Sequence, residues 1–187
     1  GVDEVGRGPW AGPVTACAVV LDPDNIPLGL NDSKKLNAKR RAILFEEIMG
    51  TSLVSYVHVD VDEIDKINIL QATFRAMERA VSKLPVPNHI LIDGNKLPPN
   101  LPSPATAIIR GDSKSASIAA ASIIAKVTRD RLMAKLSIEY PGYGWEKNAG
   151  YGTKMHQFGL LNNGVTPHHR RSFKPIHNML YSASPRK

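Results

Sequence analysis

The chain has 187 residues, of which 42% are hydrophobic and 22% charged, and its formal net charge is +7. That length allows one domain with a sizeable core, and no segment approaches the roughly 18 consecutive apolar residues of a membrane span. The excess of Lys and Arg suits a polyanionic partner, because each phosphate contact releases condensed counterions, although charge alone also fits a basic protein that is merely kept soluble.

The first residues, GVDEVGRGPWAGP, begin strand-like and pass into Gly/Pro turn chemistry. Asp3, Glu4 and Arg7 come at once, so no signal-peptide pattern opens the chain. It starts on Gly1 rather than Met, which leaves open whether a short leader precedes it. VTACAVVL at 14–21 reads as a buried strand. The single cysteine, Cys17, lies inside it and reads as a small core residue. With no disulfide partner it fits a reducing, cytoplasmic setting, and zinc fingers are excluded.

Residues 37–49 read as a helix capped by Asn37, with Ile43, Leu44 and Ile48 on one face. LVSYVHV at 53–59 alternates like a half-buried strand. Residues 62–84 give the clearest helix: Ile64, Ile67, Leu70, Phe74, Met77, Val81 and Leu84 recur at three- and four-residue steps behind an Asp62 cap. HILIDG at 89–94 and ATAIIRG at 105–111 read as strands around a Pro-rich loop. A long helix is expected from Ser115 to about Tyr140, and a shorter one over 153–162. The tail from about Thr166 is basic and reads as irregular. This order of elements predicts one α/β domain over 1–187 with a mixed sheet, antiparallel at its start and parallel later.

Carboxylates stand at three positions suited to a site. Asp3 and Glu4 lie in the first strand, Asp93 ends the fourth, and Asp112 falls between a strand and the long helix. Ligands of open α/β sheets gather at strand ends. Several carboxylates there would repel one another without cations, and hard oxygen donors suit Mg²⁺ or Mn²⁺. A pair of such ions can clamp the attacking and leaving oxygens of a phosphodiester hydrolysis without a nucleophilic side chain. Taken singly, an Asp at a strand end is more often a turn former, and Asp112 serves equally as a helix cap. Asp3 and Glu4 are also adjacent, so in a regular strand they face opposite ways, and both reach one site only if the strand bends or ends there.

Six segments taken in order resemble the signatures of ribonuclease HII, a type 2 ribonuclease H: GVDEVGRGPWAGPV, NDSKKL at 31–36, LIDG at 91–94, RGDSKSASIAAASIIAKVTRDR at 110–131, GYGTKMH at 150–156 and HRRSFKPI at 169–176. Trp10 stands where a smaller aliphatic residue is common in that family. The resemblance implies a ribonuclease H-like fold, a mixed five-stranded sheet flanked by helices. It implies that Asp3, Glu4, Asp93 and Asp112 are the catalytic and metal-binding residues, with Mg²⁺ or Mn²⁺ as cofactor. The implied activity is cleavage on the 5′ side of ribonucleotides in RNA–DNA hybrids or embedded in duplex DNA, leaving 5′-phosphate and 3′-hydroxyl. The implied partner is that nucleic acid, bound by a cytoplasmic monomer. No clear sliding-clamp docking motif is visible.

Gly6, Arg7 and Gly8 suit recognition of a ribose, since glycine lets the backbone approach closely and Arg binds phosphate. The 2′-hydroxyl is the handle that separates RNA from DNA. The resemblance implies that Tyr151 packs on the sugar that follows the ribonucleotide. Ser33 and Lys34 read as phosphate contacts, with Thr153 and Lys154 beside them in that role. His168, His169, Arg170 and Arg171 form a basic cluster, open to reading as a solvated face or as a backbone-binding one, and no spacing makes His169 a general base or metal ligand. Asp130, between Arg129 and Arg131 in the long helix, reads as an ion-pair residue. Two rivals remain at this point: a related nuclease acting only on long hybrids, and a basic nucleic-acid-binding module without catalysis.

Overall fold

The computed structural model describes residues 1–181; the last six residues of the basic tail lie outside the described residues. β1 (Val2–Val5), β2 (Val14–Leu21) and β3 (Ser52–Val59) pair antiparallel. β4 (Ile90–Asp93) joins β1 in parallel, and β5 (Ala105–Ile108) joins β4 in parallel. The strand order is therefore β3-β2-β1-β4-β5, the mixed five-stranded sheet expected, with β1 at its centre.

Helices cover both faces. α1 (Ala38–Thr51) starts where Asn37 accepts a hydrogen bond from the Arg40 N–H at 2.8 Å. α2 (Val61–Ser82) is capped by Asp60, which accepts from the Glu63 N–H, one turn-half earlier than the Asp62 cap read from the sequence. Inside α2, Asn68 has φ 68° and breaks the helix. Its Oδ1 accepts from the Leu70 and Gln71 N–H groups and so caps the second segment. The break resets the helical phase. Beyond it Met77 and Val81 of the expected stripe are buried, together with Ala72, Thr73, Ala76 and Ala80, whereas Leu70, Phe74 and Leu84 of an unbroken 3.6-residue period are only half-buried.

α2 packs on one face of the sheet against Val2, Ala16, Ala18, Ile90 and Ile92. α1 and α3 (Ala116–Glu139) cover the other face, where Cys17 and Val19 meet Ala120, Ala121 and Ile124. The alanines let α3 lie close to β1, and Cys17 is a buried free thiol as expected. A third apolar cluster lies beyond the sheet. It joins Met133 and Leu136 of α3 to Trp145 of α4 (Trp145–Asn148), Leu160 of α5 (Lys154–Asn163) and Ile176 of α6 (Lys174–Tyr181). α6 corrects the reading of the tail as irregular: Ile176 and Met179, three residues apart, give it an apolar face that docks. No helix among the described residues is long and apolar enough to cross a membrane.

Candidate active site

The central strand carries the first two carboxylates. Asp3 pairs in register with Cys17 and so shares the α1/α3 face, whereas Glu4 pairs with Ala16 and shares the α2 face. Their opposite directions are reconciled at the end of β1. The Asp3 carboxylate leans along the strand to accept from the Glu4 N–H at 2.7 Å, and Glu4 stands one residue from the strand's end. Asp93 closes the neighbouring parallel strand, held where its Oδ1 accepts from the Gly111 N–H at 2.6 Å. Asp3, Glu4 and Asp93 each offer a carboxylate oxygen, and these oxygens lie within 4.8 Å of one another.

The electrostatics of this trio are unfavourable as it stands. Asp3 is 6% exposed, and burial, followed by the charges of Glu4 and Asp93, pushes its carboxyl well above the usual carboxylate range. Burial also raises Glu4, against the pull of Arg7, whose guanidinium stands 3.4 Å away. Asp112 lies in a 3₁₀ turn (Gly111–Ser113) at the rim, outside the tight trio but within its field. Its carboxyl is raised by burial and then by the charges of Asp32 and Asp93, while Lys34 opposes the shift. Asp32 was passed over in the sequence, although it opens the same Asp-Ser-Lys triplet that recurs at 112–114. Its Oδ1 accepts from the Lys34 N–H at 2.9 Å, which sets the NDSK turn facing the Asp112 turn. Ser33 is buried within that turn, its N–H donating to Ser122 Oγ on α3, while Lys34 is exposed.

Beside the acids, Gly6–Gly8 forms a loop in which Arg7 and Gly8 are exposed and Gly6 is buried. Gly6 has φ +91°, and a Cβ there would fall 2.2 Å from Arg129 Nε. Tyr151 is 46% exposed on the turn before α5. A Cβ on Gly8 would lie 3.3 Å from its ring, so Gly8 and Tyr151 form adjoining walls. Thr153 caps α5 by accepting from the His156 N–H, and Lys154 is exposed at the helix start.

The basic cluster is divided by the fold. His169 and Arg170 are fully buried, which corrects both readings of them as surface residues, whereas Arg171 is exposed. Arg170 donates to the carbonyls of Gly6, Arg7 and Gly12. Arg129, equally buried, donates to those of Ala11, Pro13 and Ala149. A legible signal existed for Arg129: it falls on the buried stripe Ala125, Met133, Leu136 at helical steps. None existed for Arg170, which lies in a loop. Asp130 pairs with Lys126 at 2.8 Å on the outer face of α3, as expected of an ion-pair residue.

A central acid cluster on a five-stranded mixed sheet between helices defines a nuclease of the ribonuclease H type. The model of the family described as Ribonuclease HII matches residues 1–176. The Ribonuclease HII of Ruegeria pomeroyi is 61% identical over 182 residues, covering 97% of this chain and 78% of that protein. That of Magnetococcus marinus is 60% identical, covering 96% and 86%. The crystal structure of ribonuclease H2 from Pyrococcus horikoshii superposes with a TM-score of 0.79 at 29% identity, covering 96% of this chain and 95% of that one. The RNase HII of Archaeoglobus fulgidus, solved as a complex with PCNA, gives 0.78 at 26% identity, covering 93% and 94%. The chain belongs to the ribonuclease HII family, and its activity class is that of a ribonuclease H endonuclease.

Proposed function

We propose that this protein hydrolyses the phosphodiester on the 5′ side of ribonucleotides, in RNA–DNA hybrids or embedded singly in duplex DNA, leaving 5′-phosphate and 3′-hydroxyl. The observation that carries this reading is the convergence of Asp3, Glu4 and Asp93 beside the wall formed by Gly8 and Tyr151. Three carboxylates this close, one of them buried, are costly unless a cation neutralises them. An all-oxygen donor set fits Mg²⁺ or Mn²⁺, so the residues present suit the cofactor the family implies. Asp3, Glu4 and Asp93 would hold it, with Asp112 completing the set for a second ion. Bound there, such ions ease deprotonation of the attacking water and neutralise charge on the leaving 3′ oxygen.

The chain's own groups bind and orient. Arg7 is half exposed beside Glu4, so its guanidinium can take a phosphate oxygen while the Glu4 pairing fixes its direction. Lys34 stands near Asp112 and supplies positive charge for the nucleic-acid backbone next to the acids. Ser33, buried, fixes the turn that presents Lys34. The Gly6–Gly8 backbone meets the ribose hydroxyl, and the Tyr151 ring packs on the adjoining sugar, favouring one without a 2′-hydroxyl to desolvate. Thr153 and Lys154, which open α5 just after Tyr151, add contacts to the phosphate backbone. In this reading residues 1–187 act as one catalytic domain, as a cytoplasmic monomer.

A duplex carrying one ribonucleotide tests the proposal. Cleavage 5′ to that nucleotide with Mg²⁺ or Mn²⁺, abolished by chelator, is expected. Cleavage of long hybrids alone would restrict the substrate to the narrower class, and binding without cleavage of either substrate would refute the enzymatic reading.

A further inference from the structure

Arg129 and Arg170 are large cationic side chains with 1% and 0% exposure. Neither forms an ion pair among the described residues; their hydrogen-bond partners are all backbone carbonyls. Buried charges without counterions are expensive. Burial lowers Arg129 to about 10, and burial together with Arg129 lowers Arg170 to about 9. Both remain cationic at neutral pH, and a fold that keeps two such groups directly behind one loop gains something specific from them.

The bonding pattern of Arg170 shows what that is. Its Nη2 donates to the Gly6 carbonyl at 2.5 Å and its Nη1 to the Arg7 carbonyl at 2.9 Å. These are consecutive peptide units, and every peptide bond here is trans. In a trans peptide the N–H points opposite to the C=O. Drawing both carbonyls inward therefore turns the N–H groups of Arg7 and Gly8 outward, side by side. Among the described residues neither N–H donates to any protein acceptor, and both residues are exposed. Successive N–H groups facing one way form a concavity that binds an oxygen. The planar guanidinium matches two adjacent acceptors as an ammonium cannot. Its charge also polarises both peptide units and so strengthens the outward donors.

We infer that Arg170 is a positioning residue for ribonucleotide recognition: its guanidinium fork, acting through the Gly6 and Arg7 carbonyls, aims the Arg7 and Gly8 N–H groups at the ribose 2′ oxygen. The inference rests on the proposed ribonucleotide-directed activity. Arg129 backs the same loop from below, filling the space where a Gly6 Cβ would stand. It also ties Ala11 and Pro13 to Ala149, and thereby fixes the loop's distance from Tyr151.

The test compares wild type, Arg170→Lys and Val81→Ala, the last a core variant remote from the loop and chosen to match the loss of Tm. Each is assayed with Mg²⁺ on the duplex containing one ribonucleotide. Arg170→Lys is expected to lower kcat between about 10- and 100-fold, the range for a reacting group misplaced by about 1 Å. KM, calorimetric Mn²⁺ binding and affinity for the all-DNA duplex should stay within about twofold, because the 1.4 kcal/mol that makes a tenfold change is not engaged there. Val81→Ala should keep the wild-type kcat. Wild-type kcat in Arg170→Lys overturns the inference. So does a loss equal to that of Val81→Ala, or an equal loss of affinity for all-DNA duplex, which would mean that the N–H pair reads phosphate. If wild type itself leaves the single-ribonucleotide duplex intact, the underlying reading fails first and takes this one with it. Should Arg170→Lys not fold, Asp93→Asn protein bound to uncut duplex carries the test by NMR. The Arg7 and Gly8 amide protons should move downfield with the ribonucleotide duplex and not with its all-DNA counterpart; unmoved resonances contradict the inference.

Discussion

The acid edge and the layer beneath the Gly6–Gly8 loop are neighbours built on opposite principles. At the edge, three carboxylates crowd within 4.8 Å, and burial pushes the Asp3 carboxyl up for want of a counter-charge. In the layer beneath, nearly every polar atom has its partner. Arg129 and Arg170 reach six carbonyls between them. The histidines there form a directional chain: the Thr166 N–H donates to His169 Nδ1, so His169 Nε2 carries the proton toward His156 Nε2 at 3.0 Å, and His156 Nδ1 donates to the Tyr151 carbonyl. Of these two regions, frustration lies where a cation and a substrate arrive, and satisfaction is placed where groups must be held still. Substitutions in the two regions should therefore move activity and stability in opposite senses.

The largest effect is expected at the edge. Asp93→Asn should lower cleavage by about 10³-fold or more, the rate equivalent of several kcal/mol of lost charge stabilisation. Duplex affinity should be kept or tightened, because one repelling charge is gone, and cation-free Tm should not fall. Retained cleavage, or a large drop in Tm, would erase the contrast between the regions.

Arg129→Ala should do the reverse. It leaves the buried Ala11 and Pro13 carbonyls unpaired, each worth about 1–3 kcal/mol, along with the half-buried Ala149 carbonyl, so a steep fall in the urea midpoint is expected, with cleavage by the folded fraction reduced less than in Asp93→Asn.

Cation binding sharpens the comparison next. Mg²⁺ or Mn²⁺ at 100 times its Kd should stabilise wild type by about 2.7 kcal/mol. The gain should vanish in Asp93→Asn and persist in Arg170→Lys, read as Tm with and without chelator.

A smaller effect concerns pH. Burial, then the charge of neighbouring His156, lowers His169 from 6.5 to about 3, with His168 adding to the shift, and the Thr166 N–H donating to Nδ1 favours the neutral ring. Tyr143 and Trp145 pack on the ring as uncharged neighbours. The folded state holds His169 neutral while the unfolded chain binds a proton below 6.5. Its contribution is therefore complete above 6.5 and is lost as pH falls toward 3. Urea midpoints at pH 7 and 4.5 should differ in wild type. The difference should shrink in His169→Gln without disappearing, because His156 and His58 are also held below their usual range by burial. An unchanged pH difference in that variant would contradict the neutral histidine chain.

The sheet and the acids were legible for different reasons. Strands 14–21 and 53–59 and the start of α1 follow from short-range periodicity and from the Asn37 cap. The α2 stripe was legible at Ile64, Met77 and Val81 but not at Leu70 and Phe74, because one residue of positive φ, Asn68, shifts the phase there, and Asn within an apolar period carries no such warning. Asp3, Glu4, Asp93 and Asp112 stood out as acids at strand ends. Their convergence depends on β1 and β4 lying side by side, which no local pattern gives. Arg170 and His169 were illegible because charged residues in a tail are usually solvated, and only a contact with residues more than 150 positions earlier buries Arg170.

Anomalous scattering from a crystal grown with Mn²⁺ tests the central claim most directly. Peaks bridged by Asp3, Glu4 and Asp93, with Asp112 at their margin, are expected. Manganese bound elsewhere, with those carboxylates bare at saturating metal, would contradict it.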